Sequence, residues 1–174
     1  MPLTTTHTTG RRQPVHYASA REFFNAVREA AIDAERCRVQ LEELEERAQS
    51  LGGTTFEARV RGGTHDRMER NAVAHVDREG ELQARIEDDY RLIDAACWVL
   101  YGEDGISDGL ASIAPPWWAD AIYHHYLALR KWEDVEPLVL ACTSHIKQCV
   151  NAAFDLMDAN GMLATIEGRG TAAS

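Results

Sequence analysis

YLALRKWEDVEPLVLACTSHIKQCVNAAFDLMDANG, residues 126–161, is the stretch that decides the fold of this chain. Within it, Val135 and Ile146 stand eleven positions apart, which is the separation of the two buried apolar residues of a helix-turn-helix. In that motif a first helix braces two others, and the last helix presents side chains to the major groove of DNA. The stretch therefore predicts a small tri-helical module of the kind that binds DNA.

Three helices are expected in this module, over residues 117–129, 132–140 and 144–158. The predicted inward side chains of the first helix are Trp117, Ile122, Tyr126 and Leu129. Those of the second helix are Trp132, Val135 and Val139. Those of the third helix are Ile146, Cys149, Val150 and Ala153. Thr143 or Ser144 is expected to cap the third helix, because a hydroxyl can accept a hydrogen bond from an unpaired N–H of the first turn.

The predicted DNA contacts lie near the start of the third helix, where short polar side chains suit base edges and phosphates. The candidate residues on that helix are Ser144, His145, Lys147, Gln148 and Asn151. Two basic residues before the second helix, Arg130 and Lys131, complete the predicted DNA-binding set.

Three residues depart from the helix-turn-helix pattern. Glu136 stands where a small residue usually lets the two helices approach, and Leu140 stands at a turn position that favours glycine. Pro137 lies inside the second helix, where a proline costs about 3 kcal/mol if nothing compensates for it. The alternative is a single long helix from Pro137 to Asp158 in an ordinary bundle, and the charge of −3 over residues 117–161 also weighs against DNA binding.

The first hundred residues predict two long helices that pack as an antiparallel hairpin. Ser19 followed by Glu22 indicates a capping box at the start of the first helix. An apolar heptad seam follows at Ala20, Phe23, Val27, Ala30, Ala34, Cys37, Leu41, Leu44, Ala48 and Leu51. The apolar face of the second helix is predicted at Ala72, Val76, Leu82, Ile86, Tyr90, Ile93, Cys97 and Leu100.

The predicted fold class is all-α, a long antiparallel helical hairpin of coiled-coil character followed by a C-terminal tri-helical module resembling a helix-turn-helix. The predicted organisation has five parts. They are a disordered tail over 1–16, the hairpin over 17–101, a linker over 102–116, the module over 117–161 and a flexible tail over 162–174.

The composition limits the classes of function. The formal net charge of the 174 residues is −10, so any nucleic-acid contact must come from a local patch rather than from the chain as a whole. No apolar run approaches the roughly 18 residues that cross a bilayer, and the four scattered cysteines fit a cytoplasmic protein with reduced thiols. We therefore expect no membrane contact.

No catalytic constellation is found in the sequence, and we expect a protein that is not an enzyme and needs no cofactor. Cys142, His145 and Cys149 could share one helical face as soft-metal ligands, with His124 or His125 as the nearest further donor. Structural zinc uses four ligands, and a cysteine on an amphipathic helix is more often a small buried apolar residue. We therefore expect no metal either.

Two segments resemble the ArpU/RinA-type regulators of phages and prophages, whose C-terminal module is similar to region four of bacterial sigma factors. THDRMERNAVAHVDREGELQARIEDDYRLIDA, residues 64–95, is similar to the acidic second helix of that family. HHYLALRKWEDVEPLVLACTSHIKQCVNAAFDLMD, residues 124–158, is similar to its pattern of Tyr–Leu, Trp, helix cap and terminal Ala–apolar–Leu. The resemblance implies a DNA-binding regulator of late phage genes, with Trp132, Val135 and Ile146 as scaffold.

The sequence thus predicts a phage-type transcriptional regulator whose partners are double-stranded DNA and RNA polymerase, with the hairpin as a surface for homo-oligomer formation. The rival interpretation is a coiled-coil interaction protein, or a phage assembly or packaging component, that does not bind DNA. In that case the last helices would only brace the hairpin.

Overall fold

The computed structural model describes residues 16–52, 65–103 and 108–164, and every regular element in these ranges is helical. The all-α prediction is confirmed. The elements, in chain order, are α1 (Ala20–Gly52), α2 (His65–Tyr101), α3 (Leu110–Ile113), α4 (Pro116–Ile122), a π-helical turn (Tyr123–Leu127), α5 (Trp132–Val139) and α6 (Thr143–Ala159). Residues 1–15, 53–64, 104–107 and 165–174 lie outside the described residues, as do the predicted side chains of Leu51 and Ala72. The first residues of the predicted flexible tail are described, and Met162 and Leu163 pack against the core.

α1 begins where the sequence predicts it, with a modified capping box. Ser19 Oγ accepts a hydrogen bond from the backbone N–H of Glu22 at 3.2 Å. The carboxylate of Glu22 in turn accepts one from the backbone N–H of Ala18 at 2.9 Å. Asp158, at the far end of α6, accepts the backbone N–H of Ala20 at 2.7 Å. The start of α1 is therefore tied to the end of α6.

α1 and α2 pack as the predicted antiparallel hairpin. Two cross-helix contacts define its direction, because the residue number rises on α1 as it falls on α2. Arg85 donates to both carboxylate oxygens of Asp33 at 2.7 Å, and further out Arg78 donates to Gln40 at 3.3 Å. The predicted seam of α1 is buried from Ala20 to Cys37 and becomes partly open at Leu41 and Leu44.

The predicted apolar face of α2 is partly wrong. Tyr90 is 50 % exposed and Val76 is 65 % exposed, whereas Asp89 is 1 % exposed. The stripe that faces α1 is shifted by one residue in this part of α2, so that Asp89 and Ala96 lie inward in place of Tyr90 and Cys97. The small side chain of Ala96 lets the two helices approach closely. An apolar pattern that gives most weight to large side chains does not identify such a position as buried.

One core joins the base of the hairpin to the C-terminal helices. Phe24 of α1 stacks on Phe154 of α6, with ring centroids 5.5 Å apart, and Tyr126 meets both rings edge to face. Burial of each such phenyl side chain stabilises the folded state by roughly 1.5–3 kcal/mol. The hairpin base and the C-terminal helices therefore support one another.

Two glycines shape the connection between α2 and α3. Gly102 ends α2 with a φ of 82°, a value that favours glycine, and its N–H donates to the carbonyl of Trp98 at 2.8 Å. A Cβ at Gly109 would lie 2.4 Å from the backbone nitrogen of Gly102. The chain after the connection thus returns against the end of α2, which directs α3 and α4 onto the core.

Candidate nucleic-acid interface

A backbone bend separates α5 from α6. Leu140 adopts the left-handed conformation (φ 55°, ψ 40°), and the N–H of Ala141 donates to the carbonyl of Glu136 at 3.3 Å. Cys142 is extended (φ −75°, ψ 152°), and α6 begins at Thr143. The alternative of one continuous helix from Pro137 is therefore wrong, and the predicted break before the last helix is confirmed.

The buried positions of the predicted module are confirmed on α6 and in part on α5, where Trp132 and Val139 are half-buried. Val135 and Ile146, the pair that defined the motif, are both fully buried. The four predicted inward residues of α6 are buried as well: Ile146, Cys149, Val150 and Ala153. On the brace, Ile122 and Tyr126 are buried, while Trp117 is half-buried. Leu129, the fourth predicted residue, is also half-buried and lies beyond the end of the π-helical turn.

Glu136 has a role that the sequence analysis missed. Its Oε1 accepts a hydrogen bond from the backbone N–H of Thr143 at 2.5 Å, so the carboxylate of α5 caps the first turn of α6. The hydroxyl and then the backbone N–H of Thr143 lower the pKa of Glu136. The expected cap by Thr143 or Ser144 is wrong, because the cap residue is Cys142, whose side chain caps nothing, and the acceptor comes from the preceding helix.

The outer side of α6 carries the predicted contact residues. Those on α6 are all exposed: Ser144, His145, Lys147, Gln148 and Asn151. Arg130 and Lys131 are exposed in the connection before α5. α1 and α4 both reach this face, because Arg21 of α1 donates to the Asn151 side chain at 2.8 Å and the Trp117 ring of α4 lies 5.7 Å from the His145 ring between centroids. Ser144, Lys147 and Gln148 remain exposed between these two contacts.

Trp132 organises the side chains around the start of α6. The His125 ring stacks on the indole at 3.6 Å between centroids, and Lys147 Nζ lies 6.0 Å from the indole centroid, a cation–π distance. His125 Nδ1 donates to the carbonyl of Arg130 at 2.9 Å. Burial, followed by the charges of Arg28 and Lys147, lowers the pKa of His125, against the raising effects of that hydrogen bond and of Glu133.

α1 adds two cations to this surface that the sequence analysis did not identify. Arg21 donates to the Asn151 side-chain oxygen at 2.8 Å and lies 5.4 Å from the Phe154 ring centroid. Arg28, seven residues later on the same face of α1, donates to the carbonyl of His125. The basic surface is therefore a composite of α1, the segment before α5, and α6: Arg21, Arg28, Arg130, Lys131 and Lys147.

Acidic side chains border the basic surface. Glu133 and Asp134 lie in the first turn of α5, and Asp155 is exposed on the last turns of α6. The carboxylate of Asp158 accepts a hydrogen bond from the backbone N–H of Ala20. A polyanion bound to this surface would therefore have to lie close to the five cations and away from the acidic side chains at the start of α5 and near the end of α6.

The soft-metal alternative does not assemble among the described residues. The Cys149 sulfur lies 3.7 Å from His145 Nε2, whereas Cys142 is turned to Ser144 at 3.6 Å between Sγ and Oγ. The described part of the chain contains no group of three or more His, Cys, Asp or Glu side chains that could hold a metal ion. Burial raises the pKa of Cys149, while the contact with Ser144 lowers that of Cys142.

Comparisons with known proteins add no relative. Protein-family models, curated proteins and solved structures each give no match to the chain. Among the described helices, none is both long enough and apolar enough to cross a lipid bilayer. The resemblance to the ArpU/RinA regulators thus stays a prediction based on the two quoted segments.

Proposed function

We propose that the protein binds double-stranded DNA by placing α6 in the major groove. One observation carries this proposal: the bend at Leu140 makes α6 a separate helix whose first turns carry exposed polar side chains. A major groove about 12 Å wide admits one α-helix. Ser144, Gln148 and Asn151 would then face base edges, with His145 beside the groove wall.

The composite basic surface supplies the phosphate contacts of this proposal. Arg21 contacts α6 at Asn151, Arg28 contacts the π-helical turn at His125, and Lys147 lies over Trp132, which directly follows Arg130 and Lys131 in the chain. Cationic side chains on both sides of a recognition helix fit the two phosphate strands that border the groove. The −10 charge of the whole chain would oppose binding by any other face.

The biological role proposed with this activity is transcriptional regulation of the phage type. It rests on the resemblance of residues 64–95 and 124–158 to the ArpU/RinA regulators and on the helix-turn-helix arrangement of α5 and α6. In this role RNA polymerase would be a second partner, as the likeness of that family's module to sigma region four implies.

The proposal is tested with duplexes selected from a pool of random 30-base-pair DNA. Affinity is measured by fluorescence anisotropy over a range of salt concentrations. We expect log K to fall linearly with log salt, by about 0.9 for each phosphate contact. Lys147→Glu should weaken binding to every duplex. It should also reduce the magnitude of that slope by about 0.9 or more, the share of one phosphate contact.

The matched control is Arg78→Glu, which makes the same change of charge on the outer half of the hairpin. Arg78 contacts Gln40, which lies about 18 Å along α1 from Arg28 at 1.5 Å per residue. We expect the control to keep the salt slope of the unmodified protein. Failure to select any duplex, or equal losses in the two variants, would contradict docking through α6.

A second candidate function is favoured by the outer half of the hairpin. Val39, Val73 and Val76 are 42, 56 and 65 % exposed there, beyond the last fully buried seam residues. These three exposed valines lie on the same half of the hairpin, where an interaction site would cover them. We propose self-association of the hairpin as this second function, either alone or together with DNA binding in a dimer.

A further inference from the structure

A pocket of about 530 Å³ lies where the π-helical turn meets the hairpin. α1 contributes Glu35 to its wall, α2 contributes Tyr90, Asp94 and Cys97, and the π-helical turn and the residues after it contribute Tyr123 and Leu129. Its volume is in the range of small-molecule sites, which is roughly 300–1,000 Å³. The pocket is separate from the basic surface, and neither proposed function uses it.

The charged side chains among the described lining residues are both acidic, Glu35 and Asp94. Glu35 accepts two hydrogen bonds from Arg38, at 3.0 and 2.7 Å, and these lower the pKa of Glu35. Asp94 has no hydrogen-bond or ion-pair partner among the described residues. Its charge acts on the pocket wall, because it adds to burial in raising the pKa of the Cys97 thiol.

Two tyrosine rings stand at the pocket with much of their surface accessible. Tyr90 is 50 % exposed and Tyr123 is 37 % exposed. A ring face attracts a cation placed within about 6 Å of its centroid, by about 0.5–2 kcal/mol depending on solvation. Around the rings, the wall is apolar: Ala31, Ala34, Ile93, Leu127 and Ala128.

We propose that this pocket binds a small organic cation, an alkylammonium ion whose charged group lies at Asp94 between the tyrosine rings. Among the described residues, the Asp94 carboxylate has no partner and two tyrosine side chains line the pocket, while the Arg38 guanidinium beside it is engaged by Glu35. This set recognises positive charge, and the apolar wall contacts the alkyl chain. An anion of the same shape would meet the charge of Asp94. A neutral ligand would gain the apolar contact but would remove water from Asp94 without replacing it.

The experiment titrates the full chain, without DNA, with butylammonium, with 1-butanol and with butyrate, using amide chemical shifts as the signal. We expect butylammonium to shift the resonances of Asp94, Cys97 and Tyr123, with binding at least about fivefold tighter than that of 1-butanol, a factor equivalent to roughly 1 kcal/mol. Butyrate should give no saturable shifts at these positions. Added sodium chloride should weaken the binding of the cation and leave that of the alcohol unchanged.

Two exposed acidic residues of α2 provide a matched pair of variants. Asp94→Asn should weaken butylammonium binding at least about fivefold, whereas Asp77→Asn, with the same change of charge about 25 Å away along α2, should change it less than twofold. Tyr123→Leu should weaken the binding of butylammonium more than the binding of 1-butanol. Equal binding of cation and alcohol, or equal effects of the two asparagine variants, would overturn the proposal whatever the outcome with DNA.

Discussion

Leu140 is the residue on which the separation of the last helix depends. It is not glycine, yet its φ is 55°, and its side chain is 91 % exposed. A left-handed conformation costs a residue with a Cβ roughly 1–2 kcal/mol. Leu140 stands in the sequence where glycine is usual, and the turn keeps the glycine-type conformation with leucine in it.

Leu140→Gly should therefore stabilise the protein. The variant removes the left-handed strain and loses few contacts. The greater freedom of glycine in the unfolded chain offsets about 0.5–1 kcal/mol of that gain. We expect a net gain of about 0.5–1 kcal/mol in the free energy of unfolding, measured by urea denaturation.

Leu138→Gly is the control for that measurement, because Leu138 is also partly exposed but lies within α5. Glycine in a helix interior costs about 1 kcal/mol relative to alanine, so this variant should be less stable than the unmodified protein. Loss of stability in both variants would show that the turn at Leu140 does not exist in solution.

At the scale of elements, the sequence predicts the long helices and the last helix well. The capping box at Ser19 and the buried spacing of Val135 and Ile146 were both recognisable, because each is a local pattern. The cap of α6 was not, because the acceptor on Glu136 lies on another helix, seven residues before the N–H that it binds. The shifted face of α2 was missed because the apolar pattern favoured Tyr90 over its buried neighbour Asp89.

Glu136→Ala should destabilise α6, since it removes the acceptor from the first turn, and Glu136→Gln should retain part of the effect. The pKa of Glu136 in the folded protein is below the ordinary 4.5, so its ionised form stabilises the fold above that pH. This contribution is lost as the pH falls through the lower, folded-state pKa.

Thermal unfolding measured from pH 7 to pH 3 checks this prediction. The difference in Tm between the unmodified protein and Glu136→Gln should be largest above pH 4.5 and should shrink below it. Glu133→Gln, in the first turn of the same helix, provides the control for a general effect of charge. A constant difference over the whole range would exclude an ionised cap.

At the scale of the whole molecule, the basic surface could not be predicted from local sequence. Arg21 and Asn151 are 130 positions apart, and only the packing of α1 beside α6 brings them together. The sequence suggested a module with more acidic than basic residues, because the arginines of α1 were assigned to the hairpin alone. The shared core of Phe24 and Phe154 is what makes them neighbours.

The outer half of the hairpin leads to a prediction about assembly. If the exposed valines there form a contact between two copies, Leu41→Asp combined with Leu44→Asp should convert the assembly to monomers, because both leucines lie half-buried on the same open seam. Sedimentation velocity measures the change. Gln49→Asp, an exposed position near the end of α1, is the control and should leave the assembly intact. A monomer before any substitution would rule out self-association.

The central claim is that α6 is the surface that binds DNA. Mapping the amide chemical shifts of the 15N-labelled protein, free and in complex with a selected duplex, tests it most directly. On addition of the duplex, the largest changes should fall on Ser144 to Asn151 and on Arg21 and Arg28, with residues 73–82 of the outer hairpin unchanged. Changes confined to the outer hairpin, or none along α6 at saturating DNA, would contradict the account.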